Sequence, residues 1–431
     1  MKNFFQFTAR GTSYKQETLA GITTFLSVAY ILIVNPLILS QSGMDQGAVF
    51  TATALTAIIG SLLIGLLANY PIAIAPSMGL NSFFTFSVCI GMGIAWEVAL
   101  TGVFIAGIIF MLLSVMKIRE KIINAIPEDI KHAIAAGIGF FIAFIGFKNA
   151  GIIVGNPDTF VSIGDLTSTG TALAVVGLII TIAMLVRGIN GAIFYGMVIT
   201  TIIGMIIGFI QIPTSIVGSI PSLEPTFGVV FMNLDQIFSP QVLAVIFTFL
   251  FVAFFDTAGS LIALTSQAGI MKNNEIPKIG RALLADSAAG AIGAILGTST
   301  PATSVESSSG IAVGGRTGFT SIIIALCFAV ALFFSPILSV ITTEVTAPAL
   351  IIVGALMAMD LKNINWNKIE IVIPAFLTII MMPLTSSVAM GLAFGFILYP
   401  LSLIAQKRFK EIHPIMYILG LLFIIYFIFI V

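Results

Sequence analysis

Residues 298–315, TSTPATSVESSSGIAVGG, stand where a membrane helix is expected, between the apolar runs 282–296 and 320–337. The stretch is small, hydroxylated and broken by Pro301, and a carboxylate, Glu306, sits near its middle. An acid in hydrocarbon is costly and normally faces a cavity or a partner, so its default reading is functional. Irregular backbone at that depth survives only where protein buries it or where it lines a cavity. Two such departures in one segment point to a ligand site inside a membrane protein.

The rest of the chain supports that reading. Its 431 residues are 58% hydrophobic and 8% charged, with a mean hydropathy of +1.15, whereas soluble chains carry roughly 25% charge. Apolar segments of about 20 residues recur along the whole length, the pattern of a polytopic, all-α membrane protein. They run over 21–39, 48–67, a third from 72, 97–116, 133–154, 171–186, 192–210, 242–264 and 282–296. The broken tenth follows, then 320–337, 347–359, 369–382 and 388–404. A last run, 415–431, is just long enough to span. Between the fourth and fifth, MKIREKIINAIPEDIKH (116–132) is amphipathic and suits the membrane surface. A zero net charge gives no reason to expect a nucleic-acid partner. Cys89 and Cys327 lie inside apolar runs and read as buried thiols. His132 and His413 are too few and too far apart for a metal, and no cofactor is expected. The polar N-terminus through Lys15 leads into a first apolar run without an A-x-A exit, so no cleavable leader is expected.

Lys and Arg concentrate in the cytoplasmic loops of membrane proteins. With the N-terminus placed in the cytoplasm and fourteen crossings up to residue 405, 17 of the 18 basic residues fall inside and Lys148 alone falls outside. The long loop 211–241 has no basic residue, as an external loop should. The seventh crossing ends near mid-chain, leaving seven segments in each half. An odd number inserts the second half upside down. In each half the third segment is the broken one, PIAIAPSMGLNSFF (71–84) in the first and 298–315 in the second. Glycine-spaced runs lead into both breaks. Inverted repeats with discontinuous helices at matching places are the sequence pointer to a transporter site near the bilayer midplane.

Two acids stand out deep in apolar segments, Glu306 and Asp256, with no Lys or Arg deep enough to pair them. Desolvation disfavours the charged form of an unpaired carboxylate, and a carboxyl able to take up a proton is what proton coupling requires. Glu306 is therefore a candidate for substrate and proton binding; the bland reading satisfies it with neighbouring Ser and Thr hydroxyls. For Asp256 the bland reading is a structural bond to the tenth segment. Asn81, at the first break, either meets a polar ligand or caps the resumed half-helix. Asp286 reads as structural, held by backbone or by Arg281. Phe83, Phe84 and Phe255 could stack on a flat ring, although with 36 phenylalanines each is more simply core or lipid-facing. Half-helices restarting after the breaks would offer free backbone N–H groups. Such a site suits a planar, neutral, amide-rich heterocycle.

The chain also resembles the AzgA-like purine permeases, a branch of the nucleobase–ascorbate transporter family. The resemblance is carried by APSMGLNSFF (75–84), FFDTAGSLIAL (254–264), GRALLADS (280–287), GTST and VESSSG (297–310), GGRTGF (314–319), TAPALIIVGALM (346–357) and GITTFLSVAYILIVNP (21–36). Within the branch it is most like the bacterial hypoxanthine/guanine permeases, through VFTATAL (49–55), REKIINAIP (119–127) and HPIMY (413–417). The resemblance implies fourteen segments as 7+7 inverted repeats, with short strands in segments three and ten. It implies a core domain (1–131 and 241–340), a gate domain (132–240 and 341–405) and a trailing apolar segment (406–431). It implies proton-coupled purine import at the cell membrane, in which Glu306 hydrogen-bonds the base, Asp256 serves the substrate or proton, and Asn81 is the polar residue of segment three. Gly79, Phe255 and Val305 complete the expected substrate-binding set. The lipid bilayer, the purine and the proton are the expected partners, and a homodimer is left open. The chain departs from the family at Ser77, Ala253, Pro301 and Ala302, all flanking the site. Adenine, xanthine, uracil or an anion on the same fold, and a membrane-embedded enzyme built on Asp256 and Glu306, are the competing readings.

Overall fold

The computed structural model describes residues 2–116, 126–213, 215–271 and 276–430. Of the surface stretch expected over 116–132, residues 117–125 lie outside the described residues, as do 272–275 of the basic loop after residue 264, while 128–132 open the helix Glu128–Asn149 instead. Among the described residues, nine helices are long and apolar enough to cross a membrane, and four shorter apolar helices accompany them. The protein is a mostly helical, polytopic membrane protein.

Helices α1 (Tyr14–Val28) and α2 (Ile31–Ser40) make up the first segment. It begins earlier than position 21 because the Ser13 side chain accepts from Gln16 N–H and caps α1 there. It is also interrupted by a turn at Ala29 and Tyr30. Next come α3 (Gln46–Leu67), strand β1 (Ile74–Pro76), the short α4 (Met78–Ser82), which continues as a π-helix over Phe83–Gly91, and α5 (Trp96–Val115). Helix α6 (Glu128–Asn149) starts after Pro127 with two acids in its first turn, a favourable N-terminus. It ends before the expected residue 154, where the chain enters a hairpin of β2 (Ile153–Asn156) and β3 (Phe160–Ile163). Asn156 Oδ1 accepts from the N–H groups of Asp158 and Thr159 and closes that turn. Then follow α7 (Thr169–Val186), α8 (Ala192–Ile206), the long α9 (Pro240–Gln267) and α10 (Ile279–Leu296). Strand β4 (Pro301–Thr303) and the six-residue α11 (Ser307–Ala312) form the broken stretch. After it stand α12 (Gly318–Ala331), α13 (Thr343–Ala358), α14 (Ile369–Thr385), α15 (Val388–Ala405) and α16 (Pro414–Ile430).

Two packing clusters dominate. Helix α10 lies on α3 and α5 while α12 lies on α3 and α1; separately, α6 lies on α13 and α14. The last helix packs along α15, with Phe423 stacked on Phe396 at 5.6 Å and edge-on to Phe247 of α9 at 5.2 Å.

The two breaks meet. Strands β1 and β4 pair antiparallel, Ile74 opposite Thr303 and Pro76 opposite Pro301. Proline has no N–H to donate, so the ladder is completed from its flanks. Ser77 N–H donates to Thr300 O at 3.2 Å and Ser304 N–H to Ala73 O at 2.9 Å. Side chains satisfy N–H groups of the incoming strand: Ile72 donates to Ser321 Oγ, Ala73 to Ser307 Oγ and Ile74 to Ser61 Oγ, at 3.0, 3.0 and 3.2 Å. This answers the demand that backbone polar groups at membrane depth find partners within the protein. Of the hydroxyls around Glu306, Ser307 is the one used in this way.

Candidate functional site

A cavity of about 70 Å³ opens where the paired strands turn into the half-helices α4 and α11. Its apolar walls include Ile31 of α2, Ile138 of α6, Val252 of α9, and Val353 and Met357 of α13. The polar lining comes from Tyr30, Ser77, Thr303, Ser304 and Glu306. Glu306 is the one charged side chain among the described lining residues. The cavity therefore joins residues from the two packing clusters, with the breaks on one side and α6 and α13 on the other.

Glu306 is half-buried, and its partner is neither a Ser nor a Thr. Tyr30 donates its phenolic O–H to Glu306 Oε1 at 2.7 Å, a full-strength hydrogen bond. The interruption between α1 and α2 sets Tyr30 there. Just below, the hydroxyls of Ser27 and Ser309 are bonded at 2.8 Å. A carboxylate has about four lone-pair directions, so one bond from Tyr30 leaves capacity to accept from a ligand.

Gly79 and Val305 also line the cavity, and Val305 is exposed into it. Gly79 is a point of close approach: a Cβ there would lie 2.8 Å from Ile138 Cγ2. Asn81 is fully buried, does not line the cavity and does not cap α4, whose N-cap is Ser77. It donates from Nδ2 to Asn35 Oδ1. Asn35 in turn donates to Thr53 Oγ1 at 2.7 Å and Thr298 Oγ1 at 3.0 Å. Asn81 thus belongs to a buried polar network tying α2, α3 and α4 to the approach of β4. Asp256 and Phe255 lie on α9, one turn and just under one turn beyond Val252, and their side chains fall outside the described residues. Phe83 and Phe84 are core residues rather than stacking platforms, packed against Phe249 at 5.1 and 6.3 Å. Asp286, expected to be held by backbone or by Arg281, accepts from Thr257 Oγ1 of α9 at 2.9 Å.

Sequence reasoning missed Tyr30 and Asn35. The available signal was chemical: a phenol and an amide inside the apolar run GITTFLSVAYILIVNP. Polar groups in a membrane helix need partners, and both residues could have been flagged on that ground.

Residues 15–394 match the permease family (Xan_ur_permease). The chain is 56% identical to the guanine/hypoxanthine permease PbuG of Bacillus subtilis (strain 168), over 100% of both chains. It is 40% identical to the adenine permease AdeP of Escherichia coli (strain K12), over 100% of this chain and 96% of that protein. Its fold is similar to the transmembrane domain of a cyanobacterium bicarbonate transporter, BicA, with a TM-score of 0.62 at 16% identity, covering 91% of this chain and 96% of that one.

Proposed function

The chain belongs to the permease family, and on that premise we propose that it imports purine nucleobases, hypoxanthine and guanine first, together with protons. A permease of this kind is a transporter and not an enzyme. The observation that carries the substrate assignment is Glu306, the one charged group among the described lining of a largely apolar cavity, bonded by Tyr30 and accompanied there by no basic residue. A carboxylate accepts hydrogen bonds and cannot donate them while ionised. Hypoxanthine presents a ring N1–H, and guanine adds an exocyclic amino group beside it, so both donate to such an acceptor. Adenine presents a bare N1 at the same edge, a poorer match for an ionised acid. The apolar walls suit the flat ring. The 56% identity to PbuG points the same way, and AdeP keeps adenine as the second reading. An anion, by contrast, would meet a carboxylate with no cation to offset it.

The mechanism we propose follows the two packing clusters. Fourteen crossings form 7+7 inverted repeats with a cytoplasmic N-terminus. The core domain comprises α1–α5 and α9–α12, and the gate comprises α6–α8 and α13–α15. Glu306 and Asp256 bind the base and the proton while the cavity faces outward. The core then moves against the gate as a largely rigid body and delivers both to the cytoplasm.

The test is uptake of radiolabelled hypoxanthine in purine-transport-deficient bacteria expressing the chain, competed by unlabelled guanine, adenine, xanthine and uracil. Saturable uptake blocked by guanine and collapsed by a protonophore is expected. Uptake blocked by adenine alone, or indifferent to the protonophore, would contradict the proposal.

A further inference from the structure

Far from the cavity, at the opposite end of α1, a second carboxylate is buried and fully engaged. Glu17 has no exposed surface. Its Oε1 accepts from Arg316 N–H at 3.0 Å. Its Oε2 accepts from Thr317 N–H at 3.2 Å, Thr317 Oγ1 at 2.8 Å and Thr320 Oγ1 at 2.6 Å. These donors lie on the linker that ends the half-helix α11 and on the first turn of α12, whose N-terminus favours an anion. The linker is held from its other side as well. Arg316 Nη1 donates to Ile311 O and Gly315 O at 2.7 and 2.8 Å, closing the C-terminal end of α11, while Arg10 Nη1 donates to Arg316 O at 2.6 Å.

Helix α11 follows directly on Glu306, and α1 leads to Tyr30, roughly 20 Å from Glu17 at a rise of about 1.5 Å per residue. The stretch that runs from Glu306 through α11 to the linker lies against α1, the linker glycines Gly314 and Gly315 close to Gln16 and Ala20. A Cβ at Gly310 would strike Thr24 and Ala20 of α1. Ser27 bonds Ser309 one step above, and Tyr30 bonds Glu306 at the top. The register between Tyr30 and Glu306 is thus set at the base of the same ladder. We propose that Glu17 is a positioning residue for the purine site: its buried carboxylate locks the far end of α11 onto α1 and so fixes where Glu306 stands. The proposal rests on the purine-permease reading above for its transport readout, although not for its structural one.

A carboxylate is required there and an amide is not a substitute. Each oxygen of Glu17 accepts from a backbone N–H, that of Arg316 on one and that of Thr317 on the other. Hydroxyls can turn to accept, but backbone N–H groups cannot. In Glu17→Gln, whichever way the amide is turned, its NH2 faces a backbone N–H. Thr320→Val removes one donor and spares the rest; Thr320→Ser retains it.

The experiment reads hypoxanthine uptake and a cross-link in the same variants. Ser27→Cys with Ser309→Cys places two thiols at the bonded pair, and oxidation in membranes reports how often they meet. Glu17→Gln is expected to raise KM about tenfold, in keeping with the loss of a hydrogen bond to a charged group, and to lower the cross-linking yield severalfold. Thr320→Val should raise KM less, and Thr320→Ser should behave as the parent chain. If Glu17→Gln does not reach the membrane, Thr320→Val against Thr320→Ser decides the matter. An unchanged KM and an unchanged cross-link in a variant present at the parent level would overturn the proposal. So would a variant that only lowers the amount of protein and leaves both readouts alone. A parent chain that takes up no purine would overturn the transport reading instead, and the cross-link would still judge Glu17.

Discussion

Tyr30→Phe removes one oxygen and keeps the ring, so the perturbation is confined to the bond with Glu306. That bond is 2.7 Å long and meets a carboxylate, and Tyr30 is 2% exposed. Hydrogen bonds to charged groups contribute about 1.5–3 kcal/mol net, and each 1.4 kcal/mol is about tenfold in affinity. The full bond is therefore worth about 10- to 100-fold. Glu306 borders the cavity and can recover part of that by turning toward water, so the lower end applies. Because Tyr30 holds one side of the carboxylate and leaves the other to the base, the variant should bind hypoxanthine about tenfold more weakly. The assay is the concentration dependence of labelled hypoxanthine uptake at matched protein levels in the membrane. If Tyr30 instead competed with the base for Glu306, KM would fall. A KM that falls or stays within twofold of the parent would refute the assignment of Tyr30 as the orienting group.

Gly79→Ala would set a Cβ 2.8 Å from Ile138 Cγ2, an overlap costing about 1–3 kcal/mol where neither helix yields. It should lower the maximal rate severalfold, and Ile138→Ala in the same chain should restore it in the same uptake assay. Asn35→Ala deprives Asn81, Thr53 and Thr298 of their shared partner at fully buried positions. Each orphaned group costs about 1–3 kcal/mol, so the purified variant should melt at a lower temperature than the parent in detergent. The KM of whatever protein reaches the membrane should be little altered, since Asn35 does not line the cavity.

The breaks were legible because their chemistry is local. A proline and a run of small hydroxylated residues cannot continue a membrane helix, and 71–84 and 298–315 turn out to hold the two strands and both half-helices. Segment positions followed from apolar length, to within a few residues at most ends. Partners were not legible. Tyr30 and Glu306 lie 276 positions apart, and nothing in either neighbourhood says which way the other is turned. Asn81 shows the same limit. An amide at a break reads as a ligand group or a cap, and only the packing of α2 against α4 directs it to Asn35 instead. Glu17 was passed over for a different reason: near a helix start an acid looks like an ordinary helix-dipole partner, and its four donors come from residues about 300 positions later.

Glu306→Gln tests the central claim most directly. The substitution keeps size and shape, replaces one acceptor oxygen with a donor, and removes the site's charge and its capacity to take up a proton. High-affinity hypoxanthine uptake should be lost while the protein reaches the membrane in parent amounts. Saturable, protonophore-sensitive uptake with the parent KM would show that the base is held elsewhere.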